Sequence, residues 1–564
     1  MNTKKLFSLL LCLLLLLPVI AGCKKNGEDV SDSSEAPSET QNDTEEQNTS
    51  ADTSVNTSEE SSESFESSED SETQSVSDYL WIIKDGVSVD VVSSKYPSSG
   101  ELGFINDITD ALYKLGCKNV NTRTEEEGYD PNSVEIVIGS TDYAESLAVI
   151  DELGYSQGTI RINGNKLVII AYDDDIYSSL APKLSLALRD GKDDQDNVKI
   201  AKDYSVTISK NEMVSSLPVL EELPLNNVKD GGDSSFVLTF RNASADTLEG
   251  YANTLKQNGY EEYAKNQIEG NIYHTYTTEE NVVTLIFTDY NDEFKVIIDK
   301  RSNTSLPTRE SENIWTPVEG VTSTITQIGL LSDNGSGESR YNGQSYVIRL
   351  ADGSFIIVDG GHDFGKDHDK LYNVLEKQSE GREIVIAAWF FTHDHGDHTG
   401  FFKNFCESYA SKVTVEQFVY NFPALTDVKN GTGTVGGLIR KHFRASEVIK
   451  AHPGQQFYIR NAKINMLYTN DLWEHKKQAL KTHNEASTVF TVELEGKKLI
   501  ILGDYYDDRG ILRNLYTSET LKSDIMQVSH HGISNCGSLL YPIIAPEWAL
   551  WPWGVVHWIS ETED

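Results

Sequence analysis

Apolar residues recur at helical spacing in three windows near the front of the folded part of the chain: FINDITDALYKLGC (104–117), AESLAVIDELG (144–154) and IYSSLAPKLSLAL (176–188). Between them lies the short apolar run VEIVIGS (134–140), which predicts a buried strand ending in glycine. GTIRINGNKLVIIAY (158–172) predicts a hairpin turned at NGN. This alternation makes residues 79–210 an α/β domain. The pattern then changes. SSFVLTFRN predicts a strand, SADTLEGYANTLKQNGY a helix with Ser244 as N-cap and Gly259 as its stop, and 272–300 three strands with turn signals between them. Residues 215–305 therefore form a small α+β domain, and RSNTSLPTRESENIWT (301–316) reads as a linker.

A third region, 313–564, carries SYVIRLADGSFIIVDGG (345–361), two strands joined at ADG, the second ending at Asp359. A helix follows at 368–379 and a buried strand at EIVIAAWFF (383–391). TGFFKNFCESYA resumes as a helix with Thr399 near its start. Two further apolar strands, KKLIILGD (497–504) and SDIMQVSHHG (523–532), end in Asp504 and in His530 and His531.

Ahead of these domains the chain is of another kind. Lys4 and Lys5 precede an apolar run, Leu6 to Leu17, too short for a membrane span of about 20 residues. Residues 1–22 are expected to be an export signal. VIAGC resembles the lipobox of bacterial lipoproteins, which implies lipidation of Cys23 and a place on the extracellular face of the cell membrane. Residues 23–78 form the expected tether: 17 acidic residues and no Lys or Arg lie in 26–78, too polar to fold and self-repelling. That stretch holds much of the formal charge of −40, so the total says little about the substrate. Cys117, Cys406 and Cys536 are widely spaced and odd in number, which argues against a disulfide framework or a CxxC metal site.

Composition also shifts along the chain. Twelve of the 13 histidines follow residue 313. His274 is alone on its strand and reads as structural. Three histidines crowd into FTHDHGDHTG (391–400), at the end of the apolar strand. His393 and His395, two apart in extended chain, can point one way, while Asp397 and His398 can face the other. That split suits two divalent ions about 3.5–4 Å apart, with Zn, Mn or Fe matching imidazole and carboxylate donors. Asp504 can bridge them. No Ser-His-Asp or Cys-His arrangement competes within these motifs.

HDHGDH, with Asp359-Gly-Gly, Asp504 and the HHG at 530–532, resembles the signature of the metallo-β-lactamase superfamily over about residues 320–555. Within it, DGG, LIILGD and HHG look most like DNA-uptake competence hydrolases and the surface choline-phosphate esterases that trim teichoic acid. The resemblance implies an αββα sandwich with metals at one edge between the sheets. It implies His393, His395, Asp397, His398, Asp504 and one of His530 and His531 as ligands, and Asp359 as organiser of the loop. His530 is favoured as the ligand because it is nearer the strand end, leaving His531 to act on the leaving group beside Asp397. The third histidine of the first site falls in THNEASTVF (482–490), at His483 or Asn484, with His483 favoured. The expected activity is metal-dependent hydrolysis of a phosphodiester or related ester in a small molecule or cell-envelope polymer. The alternative is an inert surface module that binds such a polymer. Nucleic acid is compatible with the resemblance, but the net charge of about −8 over 313–564 disfavours it. The earlier stretch EIVIGSTDYAES resembles an accessory α/β domain found ahead of some glycoside hydrolase barrels, though no barrel follows here. The Trp-rich end WPWGVVHW is read as packing rather than as a substrate wall, at a point where the superfamily normally continues into a further helix.

Overall fold

The computed structural model describes residues 78–552 except 87, 331, 334–338, 341–342, 363–365, 425–427, 429–430, 474–479, 481 and 533–536. The signal, Cys23, the tether, Cys536 and the final residues from 553 lie outside the described residues. Among the described residues no helix is long and apolar enough to cross a membrane.

The first domain is a six-stranded sheet in the order Val120–Thr124, Val89–Ser93, Glu135–Ile138, Lys166–Ala171, Gln157–Asn163, Ser205–Ser209. Its first four strands run parallel, and the last two are antiparallel additions. Helices Ser99–Lys114 and Asp174–Asp190 cover one face through Phe104, Ile108, Leu180 and Leu184. The first of these starts five residues before the apolar window, because Ser98 and Glu101 form a reciprocal capping box.

The second domain is a fully antiparallel six-stranded sheet with helix Ala245–Gln257 on one face. Ser244 caps that helix. Strand Glu261–Ile268 has no apolar alternation because it is a largely exposed edge, which is why its residues do not announce it. The opposite face of the sheet is not solvated. Val237, Tyr273, Ile286 and Ile297 pack with Leu467, Tyr468, Tyr516 and Leu512 of the third domain. Polar ties cross the same boundary: Tyr273 Oη lies 2.7 Å from Tyr516 Oη, and Lys229 Nζ donates to Asn470 Oδ1 at 2.7 Å. His452 of the third domain sits between Asp299 and Asp471, 2.8 Å from each. The segment 301–316, expected to be a linker, is tied down: Ser305 N donates to the Val448 carbonyl and Tyr458 N to the Thr308 carbonyl.

The third domain has two facing sheets. One runs Thr324–Gln327, Tyr346–Arg349, Phe355–Val358, Val385–Phe390, Gln417–Tyr420, Glu447–Lys450; the other runs Gln456–Ile459, Ala462–Tyr468, Val489–Leu494, Lys497–Ile501, Ile525–Gln527, Trp548–Leu550. Tyr346, Ile348, Val358 and Phe390 of one interdigitate with Phe457, Met466, Phe490 and Ile501 of the other. Helices Asp367–Ser379, Phe402–Tyr409 and Val435–His442 cover the outer face of the first sheet around Trp389. Burial on both faces explains why these strands read as continuous apolar runs rather than alternating ones. The architecture is the expected αββα sandwich within a mixed α/β chain.

Candidate metal centre

Strand ends build the site. The chain leaves Phe390 at the edge of the first sheet, crosses Thr392 and His393, and turns into the short helix Gly396–Thr399. From the facing sheet, Asp504 follows Lys497–Ile501, and the His530–His531 loop follows Ile525–Gln527. The two edges come very close at Gly503. Its φ is +55°, and a Cβ there would lie 2.9 Å from Cβ of Thr392. Only glycine lets Asp504 approach His393 in this way.

Two groups of ligand-type atoms result, each with its members within 4.8 Å of one another: Asp397, His398, Asp504 and His531, and His393, His395 and Asp504. Asp504 belongs to both. Its Oδ1 faces His398 Nε2 at 3.1 Å and His531 Nε2 at 3.6 Å, and its Oδ2 faces His393 Nε2 at 3.6 Å. One carboxylate thus presents one oxygen to each group, as a bridge between two cations requires.

Supporting hydrogen bonds decide which nitrogen each ring offers. Asp359 Oδ2 lies 2.8 Å from His398 Nδ1 and also accepts from Gln344 Nε2 and Thr392 Oγ1, while its Oδ1 accepts from Thr392 N at 2.7 Å. His398 therefore carries its proton on Nδ1 and turns an Nε2 lone pair inward. His531 Nδ1 donates to the Pro552 carbonyl at 3.1 Å, so its Nε2 lone pair also points inward, 3.2 Å from Asp397 Oδ2. The two Nε2 atoms stand 3.2 Å apart. With both Nε2 atoms deprotonated, facing lone pairs beside two carboxylates repel unless a cation lies among them, and this donor set fits a divalent ion. Burial and the neighbouring charges agree for all but one of these groups. Although burial opposes it, His531, His398 and His393 hold Asp397 well below the usual carboxylate range. Burial pushes His393, His395 and His483 down, leaving neutral, ligand-competent rings. His398 is the exception: against burial, Asp504 and Asp359 favour positive charge there, so a bound ion would take the place of its Nε2 proton.

His483 is fully buried, 5.5 Å ring to ring from His395. Neither of its ring nitrogens makes a well-formed hydrogen bond among the described residues, although the Val428 backbone lies near enough to favour the protonated ring. An orphaned buried imidazole beside His395 fits a ligand position, although the ligand-type atoms within 4.8 Å of one another on this side are those of His393, His395 and Asp504. Asn484 instead lies 3.1 Å from His530 Nε2 through its amide nitrogen.

Of the His530–His531 pair, it is His531, not the His530 favoured as ligand, that joins the close group of ligand-type atoms. Both residues adopt left-handed backbone, φ +46° and +53°, which turns the chain so that the second ring, not the first, enters the cluster. His530 is partly exposed, with Nε2 3.8 Å from Asp504 Oδ2. Sequence reasoning also missed the supports. Asp394 accepts from Thr432 Oγ1 and Gly433 N, holding a strap over the site, and Trp551 Nε1 donates to the His531 carbonyl. Asp394 sat within the quoted motif and Trp551 within the Trp-rich run, but nothing in their spacing shows these contacts.

A two-sheet sandwich with a shared-carboxylate His/Asp cluster at one edge defines a class of metal-binding proteins. Residues 339–535, about a third of the chain, match the model of the metallo-beta-lactamase superfamily, and this matched region follows other α/β domains. Among solved structures, the chain is similar to the metallo-beta-lactamase fold protein YhfI from Bacillus subtilis, at 14% identity over 36% of this chain and 68% of that chain, TM-score 0.23. It is similar to Zn(2+)-bound PqqB from Methylobacterium extorquens, at 10% identity over 36% and 72%, TM-score 0.26. It is similar to CmlA, a diiron beta-hydroxylase from Streptomyces venezuelae, at 16% identity over 36% and 36%, TM-score 0.22. No curated protein gave a match.

Proposed function

We propose that the protein is a dinuclear metal-dependent hydrolase of a phosphodiester or related ester, held on the outer face of the membrane through Cys23 and the acidic tether. The observation that carries this reading is the division of the Asp504 oxygens between the two histidine groups. His393, His395, His483 and Asp504 Oδ2 would hold one ion, and Asp397, His398, His531 and Asp504 Oδ1 the other. Such a pair supplies hydroxide near neutral pH and stabilises charge on the reacting oxygens. The residues themselves orient and exclude. Asp359 fixes the His398 tautomer, and Pro552 fixes that of His531. With Asn484 donating to His530 Nε2, the His530 proton sits on Nδ1, free to hold an oxygen of the substrate or leaving group. The anchor rests on the lipobox-like VIAGC alone.

Turnover of bis-p-nitrophenyl phosphate by the full chain with added Zn or Mn tests the reading. His395→Ala should abolish it. Activity that survives the substitution unchanged refutes the assignment. Bound metal without turnover of any ester would favour the inert binding module.

A further inference from the structure

A cleft of about 380 Å³ opens between the second and third domains, and nothing in the metal chemistry uses it. Its volume falls in the range of small-molecule sites, about 300–1,000 Å³. The floor is fixed: across the boundary Lys450 Nζ donates to the carbonyls of Gly231 and Gly232 and Lys450 N to Thr304 Oγ1, and within the second domain Asn303 Nδ2 donates to the Asp233 carbonyl. One wall is aromatic, with the Tyr420 and Phe422 rings 4.7 Å apart. Beside them the Arg440 guanidinium and the Tyr420 hydroxyl converge over Gly436, each 3.4 Å from where a Cβ would stand. Burial, then nearby Asp233, pushes the Tyr420 phenol up to about 12, so it remains a donor.

Two observations identify the occupant. Asp299 lines the cleft and is 2% exposed; its Oδ2 meets His452 at 2.8 Å, but its Oδ1 has no hydrogen-bond partner among the described residues. A buried carboxylate oxygen without a donor is costly unless a ligand supplies one. The lining charges also nearly cancel: Asp233, Asp299 and Glu447 stand against Lys300, Arg301, Arg440 and Lys450. An anion would face the three carboxylates and an ammonium the four cations. A neutral ligand dense in hydroxyls meets neither penalty. It can donate to Asp299 Oδ1, accept from Arg440 and Tyr420, and lay its C–H face on the rings. We propose that this cleft binds a neutral sugar unit. The cleft begins close to the metal centre in chain terms, since helix Val435–His442 starts two residues after Gly433, whose N–H holds Asp394. The inference goes beyond the hydrolase reading and does not depend on it.

The test is calorimetric titration of the full chain with gluco-, galacto-, manno- and N-acetylglucosamine trisaccharides, and with inorganic phosphate and tetramethylammonium. At least one trisaccharide should bind, and neither ion should. Arg440 is exposed, and among the described residues no ion pair holds it, so Arg440→Ala should keep the melting temperature. It should weaken sugar binding by about tenfold, the loss of a charge-assisted hydrogen bond, and Tyr420→Phe should weaken it as well. Binding should persist in His395→Ala, which separates this site from the reaction. No binding of any trisaccharide, preferential binding of phosphate or tetramethylammonium, or sugar binding unchanged in both variants would overturn the proposal.

Discussion

Replacing Asp359 by Asn changes one atom at the centre of the site's support. Asp359 Oδ1 accepts from Thr392 N, and that bond survives if the Asn oxygen takes this place. An NH₂ then stands where Oδ2 accepted from Gln344, Thr392 and His398. Gln344 can turn its amide, since its Oε1 has no hydrogen-bond partner among the described residues. Thr392 can rotate its hydroxyl. His398 can relieve the clash only by moving its proton from Nδ1 to Nε2. The proton then points at Asp504 Oδ1 and His531 Nε2, into the space a cation must occupy. The damage is therefore to metal binding rather than to folding. Losing a support of this kind costs about 10–100-fold in metal affinity, or about 1.4–2.8 kcal/mol. Competition with a chromophoric chelator measures it, and phosphodiesterase turnover at limiting metal should fall in parallel. The group containing His393 and His395 should retain its ion more firmly, giving a biphasic titration. Two ions bound as tightly in Asp359→Asn as in the parent chain would refute the tautomer argument.

Further expectations follow from other contacts. His452→Gln leaves Asp299 and Asp471 facing each other in a buried boundary and should destabilise the chain by about 3–5 kcal/mol in chemical denaturation near pH 6. Against burial, Asp299 and Asp471 raise His452 from its ordinary 6.5 to about 10. Its stabilisation is therefore fully present below about pH 6.5 and drains away as pH rises toward 10, so the gap between parent and variant should narrow at pH 9. A Cβ at Gly431 would lie 2.7 Å from both His483 Nε2 and Asp394 Oδ2, so Gly431→Ala should loosen metal on that side and lower turnover about tenfold or more, with secondary structure by circular dichroism unchanged. Phe390→Ala opens a cavity between the two sheets and should cost about 3–5 kcal/mol without touching the ligands.

The parts of this molecule that its sequence discloses are those governed by periodicity and punctuation. Trp389 and Phe390 lie in an apolar run that ends sharply in His393, and Ile500 and Ile501 in one that ends at Asp504, so strand and ligand-type residue are visible together. Backbone handedness is not visible in this way. Nothing in SHHG shows that both histidines take positive φ, and that twist decides which ring enters the cluster. Packing between domains is equally hidden. Tyr273, Ile286 and Ile297 read as ordinary strand residues, yet their face is buried against a neighbouring domain rather than solvated. Asp394, Thr432 and Trp551 hold site residues through contacts between segments far apart in the chain, which local pattern cannot register.

Anomalous scattering from crystals of the full chain grown with Zn or Mn tests the shared-carboxylate centre most directly. Two peaks are expected, one among His393, His395 and His483 and one among Asp397, His398 and His531, with Asp504 touching both. A single ion that Asp504 does not contact, or no ion at this edge at saturating metal, would contradict the account.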